Sequence, residues 1–511
     1  MENEGRAFLC RNAFVHPRSA AIVGPLPIPL FSIILYAIPM LSSPSTSRSL
    51  ARYVPEIVLG CFALFFFLRE LGTFPAAWTD DSLFMMVARE VADGRGYAIP
   101  LLDSRWTYPY FLAVGPTLIL PSALTIKLFG FSVAAARISM VFFLAATAVV
   151  SYVFTKKIFG IGAARWSLAL LVSLSAFVNT GKPVLGEIPA FLFLLLGLLF
   201  MQHWQRGWRY SVVAGMFFGL SVMTKLTYGM IFPTLGFLLF LSILQRRWRE
   251  STALSVMLLS SVLTYLPWRL LEMSTRGGFA QEIVEYLSSG IQNDTVPFNV
   301  LVKTPELLLR VPFLAFGVFL LLGSVGLWQA RGKLTHLPVL TILILVVLFI
   351  LYFLDLYGWY RYLLPAHLLL LPFVPAGART LLGRRLATIV LSLIIIAQAQ
   401  WQFTHKGASS STEAAEAAAF VEEHYQEKEL LVNSPEVFVR LSRNPHWRFL
   451  IPKEISPTVP QEYYTVTSSL RCIPILRKLQ VDQQEPYGDT LVKAGGRYMI
   501  LPVPNDCPMR R

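Results

Sequence analysis

The chain has 511 residues, of which 55% are hydrophobic and only 14% are charged, and its mean hydropathy is +0.57. A soluble domain carries roughly 25% charged residues, so this composition excludes a water-soluble globule. The high apolar content along the whole chain also excludes disorder. What remains is a polytopic membrane protein with a soluble appendage. In such a protein the net charge of +14 first concerns the sidedness of the membrane rather than nucleic-acid binding.

The hydrophobic pattern predicts about eleven membrane-spanning helices, because each span needs about 20 mostly apolar residues. The predicted spans are 54–69, 131–154, 163–180, 185–202, 210–228, 229–244, 252–268, 311–328, 337–354, 362–378 and 386–402. The apolar segment 107–129 contains three prolines, which favours a juxtamembrane or re-entrant segment over a kinked span. Residues 20–42 are left open between an extra span, a loose hairpin and an extension from a wrong start codon.

Basic clusters predict the orientation of these spans. With the N-terminal segment 1–53 inside, the positive-inside rule holds at each short inner loop. The clusters on the inner side are Lys156/Lys157, Arg206/Arg209, Arg246/Arg247/Arg249, Arg331/Lys333 and Arg379/Arg384/Arg385. The outer side then receives the loops at about 70–130 and 269–310 and the tail from residue 403.

The tail differs in composition from the membrane part 54–402. Residues 403–511 hold 13 basic and 13 acidic residues, so the excess charge belongs to residues 1–402. Ser409–Thr412, followed by Glu413 and Glu416, is typical of a helix start with a capping box, and short apolar runs between Pro and Gly predict strands. We expect a small α/β domain outside the membrane, in which Cys472 and Cys507 form a disulfide or remain two thiols.

Two adjacent carboxylates, Asp80 and Asp81, stand out in the first outer loop, in the segment "WTDDSLFMMVAREVADGRGY". Thr79, Asp80 or Asp81 is expected to cap a helix that ends at Gly94 or Gly96. Taken alone, the pair is most simply a helix cap with a solvated neighbour.

Other ionisable residues are predicted at the same outer face of the membrane. They are Arg137, Lys182, Glu187, Lys225 and Arg361, the last followed by Tyr362. Glu187 begins a span, where the helix dipole stabilises a carboxylate, and Lys182 is a candidate partner for it. Each cation alone is explained by a side chain that reaches the interface. Together these residues gather acids and cations where a lipid phosphate would lie.

The order of these features resembles that of the C-type (GT-C) polytopic membrane glycosyltransferases, in the group that includes protein O-mannosyltransferases and lipid A aminoarabinose transferases. That group has an acidic pair written roughly W-x-D-E-x-x-Y-x-x-x-A-R. The matching positions here are Trp78, Asp80, Asp81, Phe84, Ala88 and Arg89. The resemblance, over about 54–402, continues in the segments "LFGFSVAAARISMVFF", "KPVLGEIPAFLFLLLGLLF", "GLSVMTKLT" and "RYLLP". The chain departs from the pattern at Asp81, at Phe84 and in "WTYPYF" (106–111), which lacks the usual paired prolines.

The resemblance implies transfer of a sugar from a polyprenyl-phosphate donor to a hydroxyl of a lipid, glycan or protein acceptor, with inversion at the anomeric carbon. It implies Asp80 as the base, with Asp81 orienting the acceptor or the helix. Glu187 would bind the acceptor or a metal. The lipid phosphate would be held by Lys225 and Arg361, with Tyr362, Arg137 and Lys182 as weaker candidates. No cofactor is required, a divalent cation is left open, and no nucleic-acid partner is expected.

Three other functions are weighed against this one. A secondary transporter predicts internal repeats and broken helices near the midplane. A lipid-linked glycan ligase or polymerase predicts a large central outer loop, and a scaffold predicts no catalytic cluster. A bacterial inner membrane is favoured, with the endoplasmic reticulum membrane as the alternative; there the sequon at Asn293 would face the lumen.

Overall fold

The computed structural model describes residues 50–102, 104–109, 112–274, 298–355, 358–404, 411–451, 473–478, 492–495 and 498–501. The predictions for residues 20–42, for the sequon at Asn293 and for a disulfide between Cys472 and Cys507 lie outside these residues.

The described residues of the membrane part are mostly helical. Its helices are α1 (Leu50–Leu68), α2 (Thr79–Ala92), α3 (Pro116–Phe129), α4 (Val133–Phe159), α5 (Ile161–Ser173), α6 (Ser175–Gly181), α7 (Glu187–Met201), α8 (Trp208–Thr224), α9 (Ile231–Leu244), α10 (Trp248–Met273), α11 (Asn299–Lys303), α12 (Val311–Ala330), α13 (His336–Asp355), α14 (Tyr360–Leu370) and α15 (Val374–Phe403). Short 3-10 turns are Trp204–Arg206, Leu226–Met230, Pro305–Leu309 and Leu371–Phe373. A hairpin of β1 (Ala98–Leu101) and β2 (Ser104–Thr107) follows α2.

Local sequence signals set several of these helix ends. The hydroxyl of Ser132 accepts a hydrogen bond from the amide of Ala135 at 3.0 Å, which caps the start of α4. Gly160 joins α4 to α5 with φ +82°, a left-handed conformation that glycine adopts without steric cost. The chain can therefore turn sharply between two long apolar helices with a single residue.

A helix lies at every predicted span, so the polytopic helical architecture is confirmed. Among the described residues, six helical segments are long and apolar enough to cross a membrane, or seven if α5 and α6, bent by 59°, count as one span. Helices α1 and α7 are apolar but shorter, and the spans predicted at 362–378 and 386–402 fall in one run, Tyr360–Phe403, interrupted at Gly383. The number of about eleven spans therefore stays a prediction.

The proline-rich segment 107–129 contains a helix too short to cross a membrane by itself. Its helix α3 has 14 residues and starts with Pro116 in the first turn, where a missing amide hydrogen costs nothing. Helix α3 packs against both α2 and α4. It therefore supports the helix that carries the acidic pair.

The tail forms a small α/β region, as predicted. It consists of α16 (Glu413–His424), β3 (Leu430–Val432), α17 (Pro435–Phe438), β4 (Trp447–Phe449), β5 (Ile475–Lys478), β6 (Val492–Gly495) and β7 (Tyr498–Leu501). The sheet order is β4-β3-β5-β7-β6, with β3 parallel to β4 and β5 and β7 antiparallel to β5 and β6. The division of the chain at residue 403 remains a prediction.

Small residues allow the membrane helices to approach one another closely. A Cβ atom added to Gly326 of α12 would lie 2.0 Å from the carbonyl oxygen of Phe373, and one added to Gly377 of α15 would lie 1.8 Å from that of Leu322. Backbone therefore packs on backbone at this crossing, as is typical of glycine-rich membrane helix pairs.

Gly326→Ala should lower the free energy of unfolding by about 1–3 kcal/mol, because the helices must separate to admit the methyl group. The matched control is Gly317→Ala in the same helix, where an added Cβ meets nothing within 4 Å. Thermal melting in detergent should show a lower Tm for the first variant only. Equal melting of the two variants would contradict the close crossing.

Candidate functional site

Helix α2 presents the acidic pair in its first turn. The expectation that Thr79, Asp80 or Asp81 would cap the helix is wrong: Trp78 is the N-cap residue, in an extended conformation and without a side-chain cap. Both carboxylates lie inside the helix, where the N-terminal dipole favours negative charge. Because neither is used as a cap, both are available for contacts with other parts of the chain. The helix ends just before Gly94, as predicted.

Asp81 forms a fully buried ion pair with Arg137 of α4, and both side chains are 0% exposed. The other carboxylate oxygen of Asp81 accepts a hydrogen bond from the amide of Val184 at 2.6 Å. Arg137 also donates to the carbonyl oxygens of Leu71 and Pro75, at 3.0 and 2.9 Å. Asp81 and Arg137 therefore tie α2 to three neighbouring segments.

Asp80 has a different environment from its neighbour. Its side chain is 30% exposed, and its carboxylate lies 2.8 Å from the guanidinium of Arg361 in α14. One residue of sequence separates a sealed carboxylate from an accessible one, because successive positions on a helix point in different directions. Asp80 is therefore the carboxylate of the pair that is accessible to solvent.

Aromatic rings surround the Arg361 guanidinium. Its central carbon lies 4.6 Å from the ring centroids of both Trp78 and Trp359 and 5.0 Å from that of Tyr362. One guanidinium nitrogen also donates to the Tyr362 hydroxyl at 3.1 Å. Cation–π contacts of this kind hold a planar cation in a fixed orientation. Tyr362 thus contributes to the site through Arg361.

A second pair of opposite charges lies beside the first. The Lys225 ammonium is 3.9 Å from the carboxylate of Glu187, and both side chains are largely buried. Within the described part of the chain, neither carboxylate oxygen of Glu187 has a hydrogen-bond partner. Arg361 is attracted electrostatically by both Glu187 and Asp80. The four side chains Asp80, Arg361, Glu187 and Lys225 form one cluster of alternating charge.

A break in the backbone positions Lys225. Helix α8 ends at Thr224, and Lys225 has an extended conformation with φ −151° and ψ 119°. It forms an isolated β-bridge with Val114, and the next amide donates to the carbonyl of Ala113 at 3.1 Å. Close packing against glycine makes this possible: a Cβ on Gly186 would lie 3.0 Å from the Lys225 Cβ.

Lys182 does not join this cluster. Its ammonium donates to the carbonyl oxygen of Arg69 and lies 5.0 Å from the ring centroid of Phe74. Burial, together with the charge of Arg137, lowers the pKa of Lys182 to about 8. The partner of Glu187 is Lys225, and the expected Lys182–Glu187 pair is not formed.

The tail also contributes to the surroundings of the acidic pair, which the sequence did not indicate. The hydroxyl of Thr79 donates to the carboxylate of Glu436 at 3.4 Å. Glu436 is buried, accepts a hydrogen bond from Ser434 at 2.8 Å and lies 3.5 Å from the ammonium of Lys478. No motif in the tail marks these residues, so only the tertiary structure reveals them.

The acidic residues do not gather into a metal centre in the part of the chain that the structure describes. No group of three or more His, Cys, Asp or Glu side chains there could hold an ion. The divalent cation left open from the sequence therefore gains no ligand set among these residues.

Comparisons with known proteins agree with this architecture. Residues 115–268 match the family described as dolichyl-phosphate-mannose-protein mannosyltransferase. ArnT from Cupriavidus metallidurans in the apo state is similar with a TM-score of 0.60 and 14% identity, over 88% of this chain and 98% of that one. Its structure bound to undecaprenyl phosphate gives a TM-score of 0.56 and 14% identity, over 87% and 97%.

A third similar structure comes from an archaeon. The oligosaccharyltransferase AglB from Archaeoglobus fulgidus, in complex with an inhibitory peptide and a dolichol-phosphate, has a TM-score of 0.57 and 13% identity, over 84% of this chain and 70% of that one. No curated protein sequence matches the chain. At these low sequence identities, the structural similarity is evidence for a shared fold.

Asp81→Asn should lower the free energy of unfolding by about 3–5 kcal/mol, because it leaves the buried Arg137 without a counter-charge. Asp80→Asn should cost about 1 kcal/mol or less, since its partly exposed pair is screened by solvent. Thermal melting of both purified variants measures the difference. Equal destabilisation of the two would contradict the separate environments of the two carboxylates.

Proposed function

Because the chain has the fold of the GT-C membrane glycosyltransferases, we propose that it transfers a sugar from a polyprenyl-phosphate donor to an acceptor hydroxyl. The observation that carries this proposal is the accessible Asp80–Arg361 pair at 2.8 Å. It brings a carboxylate that can take a proton next to a cation that can hold a phosphate. The Glu187–Lys225 pair beside it repeats the same combination of charges.

The class of donor is supported by the ligands of similar proteins. One ArnT structure holds undecaprenyl phosphate and the AglB structure holds a dolichol-phosphate, both of them lipid phosphates. The family matched by residues 115–268 is named after dolichyl-phosphate-mannose. These names do not define the sugar of this chain, which we leave as a hexose or pentose, nor whether the acceptor is a lipid, a glycan or a protein.

The proposed reaction is a single displacement. The acceptor oxygen attacks the anomeric carbon while Asp80 takes the proton of the acceptor hydroxyl. The bond between the anomeric carbon and the phosphate oxygen breaks, and the lipid phosphate leaves with the electron pair. Attack opposite to the leaving group inverts the anomeric configuration. The products are the glycosylated acceptor and the free polyprenyl phosphate.

The two cations of the site would stabilise the negative charge that develops on the departing lipid phosphate. A sugar-linked polyprenyl phosphate is a singly charged diester, and cleavage turns it into a doubly charged monoester. Arg361 and Lys225 would stabilise this added charge, which is strongest in the transition state and product. A phosphate competes with Asp80 for Arg361, so donor binding would also release Asp80 to act as a base.

The remaining site residues take supporting roles in this proposal. Glu187 would bind the acceptor, because its buried carboxylate can accept hydrogen bonds from hydroxyl groups. The loop between α1 and α2 and the start of α2 would be held in place by Asp81, Arg137 and Lys182, since each of these side chains already binds other groups of the protein. We further propose that the reaction takes place on the outer side of the membrane, in a bacterial inner membrane.

Asp80→Asn should lower kcat by about 10²–10⁴-fold, the usual contribution of a general base. The assay measures transfer from a radiolabelled polyprenyl-phosphate sugar by protein reconstituted in lipid. Glu429→Gln is the control, because that carboxylate pairs with Arg448 inside the tail domain. Wild-type turnover by Asp80→Asn would refute the assignment of the base.

Arg361→Ala should reduce kcat/KM for the lipid donor by about a hundredfold, and Arg361→Lys should recover only part of it, because a lysine lacks the planar fork and the stacking. Free polyprenyl phosphate should inhibit both variants less than the wild type. The control is Arg331→Ala, whose guanidinium also stacks on a tryptophan, Trp328, at 3.6 Å, but in a predicted inner cluster. Unchanged donor dependence in Arg361→Ala would contradict phosphate binding by this residue.

A further inference from the structure

We propose that the soluble tail domain is a clamp that positions helix α2, so that Glu436, Arg443 and the carbonyls of Val439 and Leu441 fix the location of Asp80. The tail contacts both ends and the middle of this one helix. The catalytic part of this inference rests on the function proposed above, whereas the clamp itself is a property of the structure.

The first contact lies at the start of the helix. Thr79, the residue directly before Asp80, donates its hydroxyl to Glu436 at 3.4 Å. Glu436 is itself held by Ser434 at 2.8 Å and by Lys478 at 3.5 Å. Because Glu436 is buried and these partners come from the sheet and the turn before α17, the first turn of α2 is tied to the folded body of the tail.

The second contact lies in the last turn of the helix and uses Arg89. One nitrogen of its guanidinium donates to the carbonyl oxygens of Val439 and Leu441, at 3.1 and 2.7 Å. The guanidinium also lies 4.4 Å from the ring centroid of Phe131. Burial lowers the pKa of Arg89 to about 10, so the side chain stays charged at neutral pH. Arg89 is also the last residue of the pattern that starts at Trp78.

The third contact lies at the C-terminal end of the helix. Arg443 of the tail pairs with Glu90 and with Asp93, both at 2.7 Å. Glu90 is buried and is also bound by Arg95 at 2.9 Å. Asp93 is the C-cap residue of the helix. One arginine of the tail thus holds two carboxylates at the C-terminal end of α2.

Apolar packing joins the same two parts. One continuous core contains Leu83 and Val87 of α2 together with Val439, Phe449 and Ile451 of the tail. The amide of Leu102, after the β1 strand, donates to the carbonyl of Phe449 at 2.9 Å. The clamp therefore combines directed polar bonds with a shared core, and removal of one polar bond should shift the helix without detaching the domain.

A clamp on α2 affects catalysis through geometry. The helix has 14 residues, which corresponds to about 21 Å at 1.5 Å per residue, and its continuous backbone links the tail contacts at its far end to Asp80. Displacement of its far end therefore tilts Asp80 relative to Arg361. A misplacement of about 1 Å can lower a rate by about a hundredfold. Arg443 touches no proposed substrate group, so it is a positioning residue.

The test introduces like charges at the far end of the helix. Arg443→Glu places a carboxylate against Glu90 and Asp93, and the matched control Arg448→Glu places one against Glu429 inside the tail. In the full-length protein, Arg443→Glu should lower kcat at least tenfold with little change in the donor KM, whereas the control should retain its activity. Adding Asp93→Arg to Arg443→Glu should restore part of the lost kcat by re-forming an opposite-charge pair.

A second measurement does not depend on activity. Hydrogen–deuterium exchange of the amides in α2 should increase at least tenfold in Arg443→Glu and recover in the double variant, with no change in the control. Unchanged exchange in Arg443→Glu would overturn the clamp. Increased exchange with unchanged kcat would overturn the positioning of Asp80. Absence of transfer by the wild type would refute the proposed function while the exchange result still stands.

Discussion

The buried ion pair between Asp81 and Arg137 is the contact on which the site depends. Breaking a buried ion pair is strongly destabilising because it leaves an uncompensated charge. Here hydrogen bonds with Val184, Leu71 and Pro75 add to the ion pair, although the Nε atom of Arg137 has no hydrogen-bond partner among the described residues. These contacts fix the start of α2 against α4 and against the loop before α7. Once that start is fixed, the preceding residue of the helix, Asp80, is held where its carboxylate meets Arg361.

The cluster at Asp80 is neutral within itself, since two carboxylates and two cations alternate in it. This balance allows four ionisable groups to coexist at a predicted membrane edge, where a lone charge is costly. It also means that an anionic ligand must displace a carboxylate from a cation as it binds. The glycines at 115 and 186 matter for the same reason, because they let the backbone around Lys225 approach closely enough to complete the cluster.

The proximity of these residues was predictable from the sequence, because hydrophobic periodicity and the positive-inside rule predict one membrane face for Asp80, Glu187, Lys225 and Arg361. Their roles were less predictable. Nothing local distinguishes Asp80 from Asp81, since the difference arises from Arg137, 56 residues away. The predicted partner of Glu187 was wrong for a similar reason. Lys182 is nearer in sequence, but the extended conformation of Lys225 after α8 brings the Lys225 ammonium closer to Glu187. No sequence signal marked the residues of the tail that make these contacts.

The long-range character of the clamp has a consequence for how the protein is made. Arg89 and Leu441 are 352 positions apart, so α2 leaves the ribosome long before the segment that holds it. Domains fold in the order of synthesis, N-terminal first, and during that interval α2 has only its membrane neighbours for support. The site is therefore complete only after the tail has reached the same side of the membrane as α2. A chain released early would carry Asp80 and Arg361 but would lack the contacts that hold α2 at both ends.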